Sequence, residues 1–564
     1  MVVGMLLWGG CRKQPPAAAH GAHYGPLPTA SASGNAPHDA PHDGHDAARD
    51  APHDGGTLRL HMEAEPPTLN SLVEHDTWTR WITLDAISEP LLRQTAPGSF
   101  SPALATAWTA PDPRTLRFTL RPGVTFHDGS ALTPEDVIAT LDRARGPSAA
   151  PDVRADFDAL RSVEKTSDRE VVLHFDKPQP LALQALSQLA ILPAHAFGEG
   201  DLRSQPASRA PIGTGPFRLV EWTTGQRIVL ARSASYWGQR PHLDRIELLI
   251  VRDREAAFEL FRRGALDVLW QLTPSQVDRA LAEPDFAAAR IVPWQLPRYA
   301  FIVWNVKSPG LGDRRVRRAL TLLTDRTRYL QVAYRGRALP VTGPYPLGSP
   351  SYDPSITPWP FDPARARALL DEAGVRDQDG DGMREVDGQP FRVTFLLSAG
   401  SPTLEPLVTL MQEEFQRAGI VLQAAPSDWA AMLSRLRRHD FDASSLLWVM
   451  QPVQDNWKEF HSSQVDRGQN YGSFKSPEVD RLLSALREAP IGPERWQLDR
   501  ALHRAIHEEQ PYTFLGNPEI DSLVGAGVRG YAPGAGGLGF SSLWIAGVGG
   551  SAAAAGGSGS GSKN

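Results

Sequence analysis

The segment DQDGDGMREVDG (377–388) spaces Asp377, Asp379 and Asp381 two residues apart, ahead of Gly382. That spacing is the first half of a calcium loop, in which alternate carboxylates converge on one hard cation and a glycine allows the sharp turn. The twelfth position, which should carry a bidentate Glu, is Gly388. The segment therefore reads as a turn joining a helix to a strand, and no metal site is assigned. A second grouping, APHDAPHDGHD followed by APHD, sets His38, His42, His45 and His53 beside acidic neighbours. Clustered imidazoles can bind zinc or nickel, but the surrounding residues favour a solvated spacer with incidental histidines. There is no HExxH pair and no GxxxxGK[ST] loop, so zinc-hydrolase and phosphate-loop chemistry lack their usual signatures. GAGGLG (534–539) fits GxGxxG, yet it follows Pro533 rather than a strand and opens no helix, so it reads as a loop. No catalytic residue and no cofactor are assigned.

The 564 residues suffice for two to four ordinary domains or one multi-lobed body, and 41% hydrophobic with 22% charged residues is usual for a globular protein. A formal net charge of −6 shows no basic surplus, which argues against a nucleic-acid partner. The one cysteine, Cys11, has no intrachain disulfide partner. It follows MVVGMLLWGG, an apolar run ending in small residues, which resembles the lipobox of bacterial lipoproteins although Trp8 departs from it. Cys11 is thus the expected lipidation site, and residues 1–11 a signal-like segment. No later stretch has the ~18 apolar residues needed to span a bilayer, so a lipid anchor is the membrane attachment the sequence supports. Residues 12–55 lack any hydrophobic period and read as a flexible tether, and the Gly/Ser/Ala-rich residues 549–564 as a disordered tail.

Between these ends, short strands and helices alternate. TLRLHM (57–62), RTLRFTLR (114–121) and EVVLHF (170–175) read as strands. A helix is expected over 133–143, with Thr133 as N-cap, Pro134 in the first turn and acidic Glu135 and Asp136 next. Helices are also expected over 361–373 and 404–418, stopped by Gly374 and Gly419. Repeated alternation of this kind implies α/β lobes.

A longer set of segments, in order along the chain, resembles the family 5 extracellular solute-binding proteins of ABC importers, the dipeptide-, oligopeptide- and nickel-binding group. These are EPPTLNSL (65–72), ISEPLL (87–92), PALATAWTAPDPRTLRFTLRPGVTFHDGSALTPEDVIATLDRA (102–144), PIGTGPFRLVEW (211–222), Tyr236-Trp237-Gly238, RRGALDVLW (262–270), NVKSPGLGDRRVRRALTLLTDR (305–326), FHSSQ (460–464), GQNYGSFKSPEVDRLL (468–483) and HEEQPYTFLG (507–516). The resemblance implies a type II periplasmic-binding fold, α/β, with two lobes, a hinge and an extra α+β domain. One lobe would combine residues 56–98, 205–300 and 511–548, the extra domain would be 99–204, and the opposite lobe 301–510, with crossings near Ala300 and Pro511. It further implies a monomer outside the cytoplasm, in the periplasm or cell envelope, that captures a peptide or similar small solute and passes it to a membrane permease.

Peptide-binding members carry an Asp shortly after a Trp, which pairs with the ligand ammonium. In LWVMQPVQDNW (447–457) Gln451 takes that place and Asp455 is the next acid. By the resemblance, the expected ligand-binding residues are Trp448, Gln451, Asp455, Trp457, Asn470 and Tyr471, with Asn305 at the lobe junction. Arg335 or Arg337, in YRGRALPVTGP (334–344), would meet a ligand carboxylate, and Trp429 is left to the core. A sugar oligomer, a metal chelate or an opine-like conjugate stays open as ligand, as does a chemosensory role. A secreted hydrolase is the remote alternative.

Overall fold

The computed structural model describes residues 52–546 apart from residues 75, 535 and 536. Cys11, the tether histidines His38, His42 and His45, and the tail lie outside the described residues. The end of the tether does not: His53 sets its ring edge against Trp544, 5.7 Å away, and Asp54 bonds the His242 ring at 2.9 Å, so the described body begins ahead of Gly56.

Two sheets dominate. The first orders its strands Arg290–Trp294, Ile520–Val524, Val268–Leu269, Thr57–Met62, Arg245–Ile250, Arg227–Arg232 and Phe217–Thr223. The second runs Ala338–Pro340, Tyr512–Pro518, Arg298–Trp304, Ala443–Val449, Arg392–Ser398 and Val421–Ser427. A four-stranded antiparallel sheet, Ala105–Asp112, Thr115–Leu120, Glu170–Phe175 and Leu160–Ser167, forms the extra domain with helix Pro134–Arg145. The three expected strands and three expected helices are all present. In the capped helix, Asp136 reaches back to accept the Thr133 backbone N–H at 2.8 Å. Gly374 and Gly419, at φ +83° and +79°, stop helices Pro363–Glu372 and Leu404–Arg417 in the left-handed region where a side chain would strain.

The second sheet is buried on both faces, and the period of two along a strand decides what each face holds. Along Arg298–Trp304, Ala300, Ile302 and Trp304 enter one core, while Tyr299, Phe301 and Val303 enter the other. Ala443–Val449 follows suit: Leu446 and Trp448 join the Tyr299–Phe301 side. That alternation aims Trp448 toward the site described below.

The chain changes sheet twice, and not where the sequence suggested. Arg290–Trp294 ends in the first sheet and Arg298–Trp304 begins in the second, so one crossing is residues 295–297 rather than Ala300. The other is Glu519, not Pro511, because Tyr512–Pro518 pairs with Arg298–Trp304 while Ile520–Val524 pairs with Arg290–Trp294. Among the described residues, no helix is long and apolar enough to cross a membrane.

Candidate functional site

A cavity of about 320 Å³ opens between the lobes. Helix Trp429–Arg437 supplies Trp429, Leu433, Leu436 and Arg437; strand Ala443–Val449 supplies Leu446, Leu447 and Trp448; Gln469 and Tyr471 come from the following loop. Glu74, from the first lobe, faces them. Trp448 lies 6.2 Å from Tyr471 and 5.8 Å from Phe301, ring to ring, so the aromatic wall continues into the core behind it. Mostly apolar walls with a few polar groups are the usual make-up of a ligand pocket.

Of the residues expected at the site, Trp448 and Tyr471 line this cavity. Trp429, assigned to the core from sequence, lines it as well. It begins a helix N-capped by Asp428, whose carboxylate accepts from Ala431 N at 3.0 Å, and this fixes the ring at the cavity edge.

The other expected residues are engaged elsewhere. Asn470 is buried and donates from Nδ2 to Phe474 O (2.8 Å) and His461 O (3.2 Å) while accepting Phe474 N (2.9 Å), bracing its own loop. Asn305 donates to Phe441 O at 2.9 Å and His439 O at 3.1 Å, and it accepts from Lys307 N at 3.2 Å. Asp455 accepts the Trp457 backbone N–H at 3.0 Å and pairs with Arg487 at 3.2 Å. Trp457 is held between the Arg487 guanidinium, 4.4 Å from its ring, and His461, stacked at 3.6 Å. Asp455 and Trp457 thus form a surface brace.

Three expected residues tie the second lobe to its neighbours, Gln451 to the extra domain and Arg335 and Arg337 to the first lobe. Gln451 Oε1 accepts from Gln188 Nε2 at 2.8 Å. Beside it, Gln184 clamps Val453 by two bonds: Gln184 Nε2 donates to Val453 O and Val453 N donates to Gln184 Oε1, both at 2.9 Å. Gln184 is on the extra-domain helix Ala182–Ser187 and Gln188 immediately follows it, so this helix grips the loop after Ala443–Val449. Arg335 pairs with Asp278 of helix Pro274–Ala282 in the first lobe. Arg337 forks onto the buried Asp521 carboxylate, Nε at 2.7 Å, next to the crossing at Glu519. Both guanidiniums are therefore committed to acids of the facing lobe, partners that become visible only once the lobes meet.

The motifs that carried the family resemblance converge on a joint rather than on the cavity. The fully buried Glu89 of ISEPLL accepts from Thr214 of PIGTGPF (3.1 Å), from Tyr236 (3.0 Å) and Trp237 (2.7 Å), and from Arg93 (2.8 Å). His127 of the 102–144 segment bonds Gly215 O at 3.0 Å and Gly213 N at 3.3 Å. Gly213 has no alternative there, since a Cβ would lie 2.0 Å from Ile87 O. Glu89 thus ties three pieces of the first lobe together, and His127 locks the extra domain onto them. Likewise, Leu538, Gly539 and Phe540, at the end of the GAGGLG stretch, donate their backbone N–H groups to the half-buried Asp85, as a loop closed around a carboxylate would.

The DGDG segment brings carboxylate oxygens of Asp377, Asp379, Asp381 and Glu385 within 4.8 Å of one another. They already serve the turn: Asp377 accepts from Gly380 N and Gly382 N (2.7 and 2.9 Å), and the buried Glu385 from Gln378 N (2.8 Å).

Comparison with known proteins agrees with this geometry. Residues 99–464 match the family model described as "Bacterial extracellular solute-binding proteins, family 5 Middle". The oligopeptide-binding protein AppA of Bacillus subtilis is 30% identical over 427 residues, covering 73% of this chain and 77% of AppA. Its solved structure, in complex with a nonapeptide, superposes with a TM-score of 0.74 at 27% identity, over 88% of this chain and 100% of that one. NikZ of Campylobacter jejuni, solved with Ni(L-His), has the same fold with a TM-score of 0.74 at 23% identity, over 86% of this chain and 99% of that one. The lobes, the extra domain and the cavity between them thus belong to a protein built to enclose a small molecule, and the chain is a member of family 5 of the bacterial extracellular solute-binding proteins.

Proposed function

We propose that this chain captures short peptides, or small solutes of similar chemistry, in the cavity between its lobes and presents them to an ABC permease. The carrying observation is that cavity: three aromatic side chains, Trp429, Trp448 and Tyr471, from one lobe face Glu74 from the other. The peptide-binding relatives support the same reading. The crossings at residues 295–297 and Glu519 act as the hinge, and ligand favours closure through contacts made better when the lobes meet. Gln451 and Asp455 are occupied by Gln188 and Arg487, so neither is the ready counter-charge for a free ammonium. The protein works as a monomer outside the cytoplasm, held to a membrane through lipid on Cys11.

Trp448→Ala tests the site. Removing a central aromatic anchor weakens binding by roughly 2 kcal/mol, about thirtyfold in Kd. Titration calorimetry with a panel of di-, tri- and longer peptides measures it, with circular dichroism confirming the fold. An unchanged Kd for a peptide that wild type binds would take Trp448 out of the site.

A further inference from the structure

We infer that Arg437, with the Tyr471 hydroxyl beside it, receives a carboxylate of the bound solute. This rests on the interlobe-binding reading above and assigns that solute a charge. Both residues line the interlobe cavity. Arg437 closes helix Trp429–Arg437, on which Trp429, Leu433 and Arg437 follow one another at four-residue steps and so share the face that walls the cavity. Of the ten described residues lining it, Arg437 and Glu74 are the two with charged side chains, and they come from opposite lobes. Glu74 turns an anion away from the facing wall, so a carboxylate is directed to the Arg437 end.

The other arginines at this end of the helix are already engaged. Arg435 donates from Nε to Asp440 Oδ2 at 3.2 Å, and Arg438 donates to Ser434 Oγ at 2.6 Å with Asp440 4.0 Å away. Arg437 pairs with no carboxylate among the described residues and is exposed at the cavity, so a solute reaches it without displacing a counter-charge. It takes the part expected of Arg335 and Arg337, which Asp278 and Asp521 hold. The Tyr471 hydroxyl lies close enough in the same wall to feel the Arg437 charge. Burial pushes that hydroxyl above its ordinary pKa of 10 while Arg437 pulls the other way, so it keeps its proton and can donate. A guanidinium fork takes a carboxylate in two parallel hydrogen bonds, and the phenol adds a further donor. The surrounding Trp429, Leu433 and Trp448 make the setting apolar, where such a pairing is stronger than in water.

A matched-ligand cycle on the full chain tests this. Trialanine and trialanine amide, then a Glu and a Gln form of one tripeptide amide, are titrated into wild type, Arg437→Gln and Tyr471→Phe by calorimetry. Wild type should lose about tenfold or more in affinity when the carboxylate of one pair is removed, the first pair reporting a terminal and the second a side-chain source. Arg437→Gln should bind both members of that pair alike, and Tyr471→Phe should keep part of the difference. Discrimination kept in full by Arg437→Gln, or absent from wild type among peptides that bind, overturns the role of Arg437; discrimination kept in full by Tyr471→Phe overturns that of the hydroxyl. If wild type binds no peptide, the peptide reading above fails, and 3-phenylpropionate against 3-phenylpropionamide judges Arg437 alone. The acid should raise the melting temperature of wild type more than the amide does and lose that advantage in Arg437→Gln. An acid no better than its amide in wild type, or equally better in the variant, overturns the assignment.

Discussion

Glu459→Gln should make the protein more stable at pH 8 and leave it nearly unchanged at pH 4.5. Glu459 is buried on helix Trp457–Phe460, and its Oε2 has no hydrogen-bond partner among the described residues. Burial first, and the nearby Asp455 second, push its carboxyl from the ordinary 4.5 up to about 7. Between those values the native protein keeps a proton that the unfolded chain has lost, so stability falls as pH rises across the window and levels off above it. At about 1.4 kcal/mol per pH unit, the window is worth roughly 3 kcal/mol. Glutamine keeps the shape of the protonated acid and cannot ionise, so the variant should escape this fall. Urea titrations followed by tryptophan fluorescence at pH 4.5, 6, 7 and 8 give the midpoint difference between variant and wild type. The expected difference is near zero at pH 4.5 and grows to its full value by pH 8. A difference that is the same at every pH would refute the reasoning.

Two further outcomes are expected. Gln184→Ala removes both bonds to Val453, worth about 0.5–1.5 kcal/mol each, and should weaken ligand affinity about five- to a hundredfold while the melt of the ligand-free protein moves little; an unchanged Kd by calorimetry would mean that the clamp takes no part in closure. Cys11→Ser should move the protein from the membrane to the soluble fraction on cell fractionation, and a variant still bound to membranes would contradict the lipid anchor.

Much of the framework was readable from the chain, because strand periodicity and helix stops are local. Thr57–Met62 and Glu170–Phe175 occupy the residues expected, and Gly374 and Gly419 end their helices as glycines do. The crossings were less legible. Tyr512–Pro518 is buried throughout and its change of sheet occurs at one residue, Glu519, with no composition shift to mark it. The site divided similarly. Trp448 and Tyr471 were reachable through the resemblance, but nothing near Trp429 in sequence separates a cavity wall from a core aromatic. Arg335 and Arg337 looked free because Asp278 and Asp521 lie 57 and 184 residues away along the chain. The strongest motif residues, Glu89, Thr214, Tyr236 and Trp237, tie distant segments of the first lobe together, and His127 joins the extra domain to them. Segments that identify the family therefore say more about how the lobes are assembled than about what they enclose.

Native mass spectrometry of the gently purified full chain, with identification of whatever small molecule is released, tests solute capture most directly. A one-to-one complex that yields a peptide or a peptide-like solute is the predicted result. A chain that carries nothing, and stays empty after incubation with a peptide mixture, would contradict it.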